Sequence, residues 1–129
     1  MFDRYILCDD GFTNVEENGK ISGFQLQTRL AYYRGIPLSM VNDIIVTVDG
    51  VKYERSKVRF STGEEYFTLD EMLTIASEKW EFGDKVKVII EKENGLNKGP
   101  HEVSIVQVIR VAYYPFPIEG RRTKTLMLV

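Results

Sequence analysis

The sequence has very few of the side chains that most often carry out catalysis or bind metals. Among 129 residues there is one cysteine, Cys8, and one histidine, His101, and they lie on unrelated segments. A single thiol excludes an internal disulfide, and one histidine with one distant cysteine does not make the ligand cluster of a metal site. No Gly-x-Ser-x-Gly elbow accompanies the histidine, and no glycine-rich phosphate loop is present. Taken alone, the chain lacks the residues of a self-sufficient enzyme.

Charge of one sign and long hydrophobic runs are also missing. The 17 basic and 19 acidic residues leave a net charge of -2, which gives no electrostatic reason to expect nucleic acid or an anionic membrane as a partner. No apolar run approaches the roughly 20 residues that span a bilayer. The opening MFDRYILCDDGF carries acidic residues where a secretory signal has a basic region. The sequence therefore predicts a cytoplasmic protein that binds neither nucleic acid nor membrane.

The few reactive or charged candidates each have an ordinary structural explanation. His101 follows a Gly-Pro turn, which is typical of a surface or loop histidine. Asp9-Asp10 precedes a glycine and could touch an ion, but such adjacent acids are more often turn residues. Glu64-Glu65 has the pattern of a solvated loop. Cys8 has no base or metal ligand beside it in the sequence, so we interpret it as a small packing residue.

The most informative stretch is a hairpin signal in the middle of the chain. Ile44, Val46 and Val48 project to one side of an extended segment that ends at Asp49-Gly50. That pair readily adopts the positive φ angles of a two-residue type I′ turn. The predicted return strand carries Val51, Tyr53, Val58 and Phe60. We expect this hairpin to lie near the middle of an antiparallel sheet.

Three further segments have clear patterns. From Ile21 to Tyr33 apolar and polar residues alternate strictly, which predicts a strand with one buried face. Thr68-Leu69-Asp70-Glu71 has the spacing of a capping box and predicts a helix of about two turns. Its inner stripe would consist of Met72, Leu73, Ile75 and Ala76. The segment from Val103 to Tyr114 is apolar on both sides, which favours a strand between two covered layers.

These patterns together indicate the fold class. Short strands separated by turn signals predict an all-β fold, an antiparallel β-sandwich of about seven or eight strands with one short helix. A chain of 129 residues suits a single domain, here residues 1–129, that builds its core without metal or disulfide help.

Aromatic and arginine residues gather at the ends of the predicted strands. They are Tyr32, Tyr33 and Arg34 after one strand, and Tyr113, Tyr114 and Phe116 after another. Tyrosine and arginine are enriched in interface hot spots, so these residues are candidates for a partner interface. The alternative is that half of each aromatic pair faces the core and the other half caps one end of the sandwich.

The C-terminal segment IEGRRTKTLMLV adds Arg121 and Arg122 ahead of four apolar residues. A frayed terminus is rarely so apolar, so we expect this segment to be held down as an edge strand or docked on a partner. Its two arginines are therefore included in the predicted partner interface.

With these residues in view, the chain resembles the beta subunit of bacterial C-glycoside deglycosidases over nearly its whole length. The resemblance rests on the MFDRYILCDDGF opening, the turn Tyr33-Arg34-Gly35-Ile36-Pro37-Leu38-Ser39, Val48-Asp49-Gly50, and Phe82-Gly83-Asp84 before a valine-rich strand. The proline-rich end of the last long strand and the Arg-Arg tail complete it. None of these is a catalytic signature, so no catalytic residue is carried over to this chain.

The resemblance implies a small β-sandwich subunit that forms a hetero-oligomer with a larger alpha subunit of sugar-isomerase-like barrel fold. This chain would hold no cofactor, whereas the alpha subunit would hold a divalent metal of the manganese or magnesium class with the acid and base residues. The implied substrates are 3-oxo-C-glycosides of plant flavonoids and isoflavonoids. A C–C glycosidic bond has no basic oxygen to protonate, so two-carboxylate hydrolysis fails, and a C3 ketone instead acidifies the C2 proton for elimination.

Two other functions remain open from the sequence. A stand-alone sandwich module could hold a sugar or aglycone by stacking on Tyr32, Tyr33, Tyr113, Tyr114 or Trp80, although a lone tryptophan behind a helix is more often part of a core. A stand-alone enzyme is disfavoured by the shortage of ligands. Cleavage assays with this chain alone, with its partner alone and with both would separate the three functions.

Overall fold

Antiparallel strands with alternating buried and exposed side chains build the fold, seen in a computed structural model that describes residues 3–63, 65–111 and 114–129. The strands in these residues are β1 (Thr13–Glu17), β2 (Lys20–Arg29), β3 (Ile36–Pro37), β4 (Val41–Val48), β5 (Val51–Lys52), β6 (Val58–Ser61), β7 (Phe67–Thr68), β8 (Lys79–Trp80), β9 (Lys85–Glu91), β10 (Gly99–Ile109) and β11 (Ile118–Leu128). The predicted all-β antiparallel class is confirmed. The prediction of about seven or eight strands corresponds to the seven described strands of four or more residues. The remaining four, β3, β5, β7 and β8, have two residues each and cannot show an alternating pattern.

The strands form two main sheets with one shared core. One sheet has the order β1-β2-β9-β6-β7, the other has the order β11-β10-β4-β5, and β3 pairs with β8 beside them. Phe24 from β2, Val46 from β4 and Ile105 from β10 have no exposed surface. Trp80 is also fully buried, and its ring meets Phe60 edge-on with centroids 5.2 Å apart. The tryptophan therefore belongs to the core and offers no platform for a sugar.

The predicted Asp-Gly hairpin is present, with two differences from the sequence-based expectation. Asp49 and Gly50 have φ angles of 50° and 82° and connect β4 to β5, where Val48 pairs with Val51. However, β5 is the edge of its sheet, so the hairpin does not lie in the middle. Val58 and Phe60 do not continue the return strand either, since they belong to β6 in the other sheet.

The crossing between the two sheets is fixed by one arginine. A 3-10 turn at Arg55–Lys57 follows the short β5. The Arg55 guanidinium donates at 2.8 Å both to the Asn42 carbonyl and to the Asp43 carboxylate. This contact with the start of β4 holds the connection as it leaves one sheet for the other. The pattern of apolar and polar residues in 51–60 does not predict that the chain changes sheets here.

The predicted capped helix is present but shorter than expected. Helix α1 spans Leu69–Met72, and Thr68 and Glu71 form both reciprocal bonds of the capping box. The helix makes one turn rather than two, and beyond Met72 the N–H groups of Leu73, Thr74 and Ile75 bond to carbonyls three residues back, not four. Leu73 is consequently exposed, while Ile75 packs against the core. Ala76 is exposed as well.

Two long strands end earlier than their sequence patterns predict. Strand β2 ends at Arg29 rather than Tyr33, although the buried alternation continues through Leu30. Strand β10 ends at Ile109 rather than Tyr114, and only the face that carries Ile105 is fully buried. The opposite face, with Ser104, Val106 and Val108, is half-buried. The expectation of two covered faces was therefore wrong for this chain.

The C-terminal segment is an edge strand. β11 pairs with β10 over its full length, from Ile118 opposite Ile109 to Leu128 opposite Gly99. Leu126 and Leu128 are buried, whereas the terminal Val129 is exposed. Of the two expectations for this tail, the edge strand is the one observed. Within the described residues, no helix is long and apolar enough to cross a membrane.

Candidate partner interface

A buried polar network determines where β2 ends. Gln107 lies on the inner face of β10 and has no exposed surface. Its Nε2 donates to the Thr28 hydroxyl at 2.7 Å and to the Arg29 carbonyl at 2.6 Å, and its Oε1 accepts from the Ala31 N–H at 2.9 Å. The side chain thus satisfies two backbone groups that a neighbouring strand would otherwise pair. β2 can therefore stop at Arg29 without leaving buried polar groups unpaired.

The turn that follows β2 separates the two adjacent tyrosines. Tyr32 is buried and Tyr33 is 46% exposed, while their rings remain in contact with centroids 4.7 Å apart. The Arg34 guanidinium lies 5.4 Å from the centre of the Tyr33 ring, within the range of a cation–π contact. Tyr32 and Tyr33 therefore follow the alternative that the sequence left open, in which one member of the pair faces the core and the other faces outward.

The loop between β10 and β11 brings the second aromatic group to the same place. Tyr114 meets Phe116 edge-on with ring centroids 6.3 Å apart. Tyr114 also lines a cavity of about 470 Å3 together with Tyr32 and Tyr33. Residues about 80 positions apart in the chain therefore share one surface. We call Tyr33, Arg34 and the segment 114–117 the aromatic end; Tyr113 lies outside the described residues.

The aromatic end is unusually apolar and rigid for a free surface. Tyr114 is 51% exposed and Phe116 is 68% exposed. Pro115 and Pro117 flank Phe116, and their fixed φ angles limit the conformations that this loop would lose on binding. Clustered exposed aromatic side chains are typical of protein–protein contact surfaces. The aromatic end is therefore the strongest candidate for a binding surface on the described part of the chain.

The two tail arginines do not lie together. Arg121 pairs with Glu119 at 2.8 Å, and Glu119 lines the cavity beside Tyr114, so Arg121 reaches the rim of the aromatic end. Arg122 is the next residue along β11 and projects to the other face of the strand. There its charge acts on Asp9, away from the aromatic end.

The adjacent acids near the N-terminus hold their segment in place. Asp9 pairs with Lys124 of β11 at 2.7 Å, and Asp10 pairs with Lys85 of β9 at 3.0 Å. These hydrogen bonds keep the pKa of both carboxyl groups below its usual range. No group of three or more potential metal ligands comes together in residues 3–63, 65–111 and 114–129. Of the predicted Glu64-Glu65 loop, Glu65 is exposed and Glu64 lies outside the described residues.

Cys8 lies between these two ion pairs in space and is buried. Burial raises the pKa of its thiol, which disfavours the reactive thiolate at neutral pH. We predict that Cys8→Ser lowers the free energy of unfolding by about 1 kcal/mol, because a hydroxyl costs more than a thiol to bury at this position. Activity of the assembled enzyme should be unchanged. Loss of activity in a variant that still folds and still binds its partner would show that the thiol has a chemical role.

The aromatic end could be anticipated from sequence, but Gln107 could not. Gln107 stands in a strand rich in β-branched residues and belongs to no sequence motif. Only its position indicates that it is buried, since it alternates in register with Val103, Ile105 and Ile109. A polar side chain in such a register needs buried partners. Those partners belong to a strand that is distant in the sequence.

Comparison with known proteins agrees with the sequence resemblance. A family model described as C-glycoside deglycosidase beta subunit matches residues 2–113. The chain belongs to this family. The matched range contains Tyr33 and Arg34 from the first half of the aromatic end and stops before Tyr114 and Phe116.

Three curated relatives are each named as the beta subunit of a deglycosidase. A C-glycoside deglycosidase beta subunit from Eubacterium cellulosolvens is 28% identical over 114 residues, covering 88% of this chain and 78% of the relative. A 3'-dehydrocarminate deglycosidase beta subunit from Microbacterium is 29% identical over 89% of this chain and 83% of its own length. A C-glycoside deglycosidase beta subunit from Arthrobacter globiformis is 28% identical over 70% of each chain. Membership of a beta subunit family indicates that the chain acts with a partner subunit.

Proposed function

We propose that this chain is the small, non-catalytic subunit of a two-component C-glycoside deglycosidase, and that its aromatic end docks on the larger alpha subunit. Two observations support the proposal together. The chain belongs to a beta subunit family, and it exposes Tyr33, Tyr114 and Phe116 on one surface. The proposed partner is a sugar-isomerase-like barrel that binds a divalent metal of the manganese or magnesium class, in a cytoplasmic hetero-oligomer.

The proposed reaction is carbon–carbon cleavage by elimination from 3-oxo-C-glycosides of plant flavonoids or isoflavonoids. The ketone acidifies the C2 proton, a general base of the alpha subunit removes it, and an acid protonates the departing aglycone. This makes the complex a lyase, with the metal supplying Lewis acidity at the carbonyl. The name of the Microbacterium relative, which refers to 3'-dehydrocarminate, supports a dehydrogenated sugar substrate for this chain as well.

The role that we assign to this chain is to stabilise the alpha subunit and to shape the entrance to its site. The exposed parts of Tyr33, Tyr114 and Phe116 amount to roughly 300 Å2, which at about 25 cal/mol per Å2 corresponds to about 7 kcal/mol before association costs. Arg34 lies at the edge of the same surface and can form a bidentate pair with a carboxylate of the partner.

The proposal is tested by assaying cleavage of a 3-oxo-C-glycoside with each subunit alone and with both. We expect activity only when both subunits are present, in proportion to the amount of complex formed. Co-purification of a tagged beta subunit with the alpha subunit measures that complex directly. Cleavage by this chain alone, or full activity of the alpha subunit alone, would contradict the proposed division of roles.

The cavity beside Tyr32, Tyr33 and Tyr114 favours one alternative function, a stand-alone module that binds a sugar or an aglycone. Its volume of about 470 Å3 lies within the usual range of small-molecule sites, and aromatic rings provide stacking surfaces. Titration calorimetry of the isolated chain with a flavonoid and with its C-glycoside separates the two functions. Tight binding without any partner would favour the module over the subunit.

A further inference from the structure

At the other end of the sandwich, His101 is held through both nitrogens of its ring. Nδ1 lies 2.6 Å from a carboxylate oxygen of Asp49, in the turn between β4 and β5. Nε2 lies 2.7 Å from the carbonyl oxygen of Asn97, in the loop before β10. The ring is 11% exposed and meets Phe12 edge-on with centroids 5.9 Å apart. The histidine thus joins three segments that are distant in the sequence.

The two contacts determine the protonation state of the ring. The Asn97 carbonyl and the ionised Asp49 carboxylate can only accept hydrogen bonds, so both ring nitrogens must donate. A neutral imidazole carries one N–H, and either tautomer would leave a nitrogen lone pair facing an oxygen at 2.6 or 2.7 Å. Only the imidazolium satisfies both contacts. The other Asp49 oxygen accepts the Glu102 N–H at 2.9 Å, which fixes the carboxylate in its orientation.

We propose that His101, Asp49 and Asn97 form a proton-dependent latch that ties the β4–β5 turn to the loop before β10. The latch is closed while the ring is protonated, and loss of the proton releases one of the two contacts. The inference is independent of the proposed subunit role, since His101 and the end of β10 are eight residues apart, about 27 Å along the strand. While the latch is closed, the protonated ring cannot act as a general base.

Among the residues that the structure describes, one side-chain charge acts on the ring. Asp49 supplies that charge from the β4–β5 turn, while Phe12 from the N-terminal segment and Leu126 opposite on β11 are apolar. Glu102 contributes its backbone N–H to Asp49. Tyr53 also feels the Asp49 charge, and burial together with that charge raises the pKa of its hydroxyl, which keeps it neutral.

These contacts set the pH range in which the latch is closed. The Asn97 carbonyl and then the Asp49 carboxylate raise the pKa of His101 above its ordinary value. The latch is therefore complete below the unfolded pKa of about 6.5 and is lost as the pH rises through the folded pKa. In acid, the bonds from His101 and Glu102 lower the pKa of Asp49, so its contribution is lost as the pH falls through that value. The latch is closed between these two limits.

Nitrogen-15 NMR of the imidazole in the full-length chain tests the latch directly. We expect both ring nitrogens of His101 to carry protons at pH 6, and the ring to titrate above about 6.5. A ring nitrogen without a proton at pH 6, or titration at or below 6.5, would overturn the proposal. This measurement needs no variant, so it does not depend on the stability of any mutant.

The matched variant is Asp49→Asn, which keeps the turn because asparagine tolerates the positive φ of 50° at this position. It removes the charge, so the pKa of His101 should fall. An unchanged pKa would show that the Asp49 carboxylate does not hold the proton.

The wild type should melt at a higher temperature than His101→Gln. This difference in melting temperature should be largest near pH 6 and should decline as the ring deprotonates. A difference that stays constant with pH would also overturn the latch.

Discussion

Replacing Gln107 by leucine should lower the free energy of unfolding by about 2–4 kcal/mol. The leucine fills a similar volume but leaves the Arg29 carbonyl and the Ala31 N–H without the partner that Gln107 provides. Both groups meet the side chain inside the sandwich, so water cannot easily replace it. Urea unfolding followed by circular dichroism measures the change, and the slope of the transition should stay the same.

Gln25→Leu is the matched control for this prediction. Gln25 lies on β2 and is half-buried on the outer side of the sheet, so the same substitution there should change stability by about 0.5 kcal/mol or less. A second test is the double variant Gln107→Leu with Thr28→Val. Removing both partners of the 2.7 Å bond should cost less than the sum of the two single changes. Additive effects, or equal effects of Gln107→Leu and Gln25→Leu, would contradict the proposed network.

Gln107→Leu should also affect the binding surface, although Gln107 is buried. The Ala31 N–H is the group that holds the turn leading to Tyr33 and Arg34. Without that bond, the turn can shift and the first half of the aromatic end loses its fixed position. We therefore expect weaker binding to the alpha subunit under conditions in which the variant is still folded. This consequence connects the core of the sandwich to the proposed function.

The features that sequence reasoning predicted correctly depend on neighbouring residues. Asp49-Gly50 specifies its turn because two adjacent residues must adopt positive φ angles. Thr68 and Glu71 specify a helix start because each satisfies the other's backbone N–H three residues away. The alternating strands followed from the period of two, which any half-buried strand must show.

The features that sequence reasoning missed depend on residues that are distant in the chain. β2 ends at Arg29 because of Gln107, which is 78 residues further on. Residues 51–60 divide between two sheets because Arg55 binds the start of β4. His101 was interpreted as an ordinary loop histidine because its partner Asp49 is 52 residues away. No local pattern contains these pairings, so only the folded structure reveals them.

The candidate interface could be predicted in part. The aromatic pairs stood out because tyrosine, phenylalanine and arginine were crowded at strand ends. That Tyr33 and Tyr114 would line one cavity required the fold. The pairing of Arg121 with Glu119, and the opposite direction of Arg122, follow from the register of β11 on β10. The alternation of a strand separates two adjacent arginines that the sequence places side by side.

The structure also changes how the C-terminal tail should be tested. Deleting residues 121–129 would remove most of β11 and would expose the hydrogen-bonding edge of β10 that β11 pairs with. Leu126 and Leu128 would be lost from the core at the same time. Such a deletion tests whether the chain folds, and it says little about partner binding. Surface substitutions at the aromatic end are therefore the sharper test of the interface.

The double variant Tyr114→Ser with Phe116→Ser should weaken binding to the alpha subunit by about 10³-fold, since aromatic hot spots cost about 2 kcal/mol each when truncated. The two rings contact each other and face solvent, so their loss should leave the melting temperature of the isolated subunit nearly unchanged. Affinity is measured by titrating the alpha subunit with labelled variant and wild-type chains.

Tyr66→Ser with Val51→Ser is the control, because these two apolar residues are 52% and 55% exposed and neither belongs to the aromatic end or lines its cavity. This control should bind the alpha subunit as tightly as the wild type. Equal losses of affinity in the two double variants would show that the aromatic end is not the docking surface.

The turnover number at saturating subunit concentration then tests the non-catalytic role. If the aromatic end only holds the complex together, saturating amounts of the Tyr114→Ser, Phe116→Ser variant should restore full turnover. A turnover number that stays several orders of magnitude low in an intact complex would mean that this surface supplies a group to the reaction.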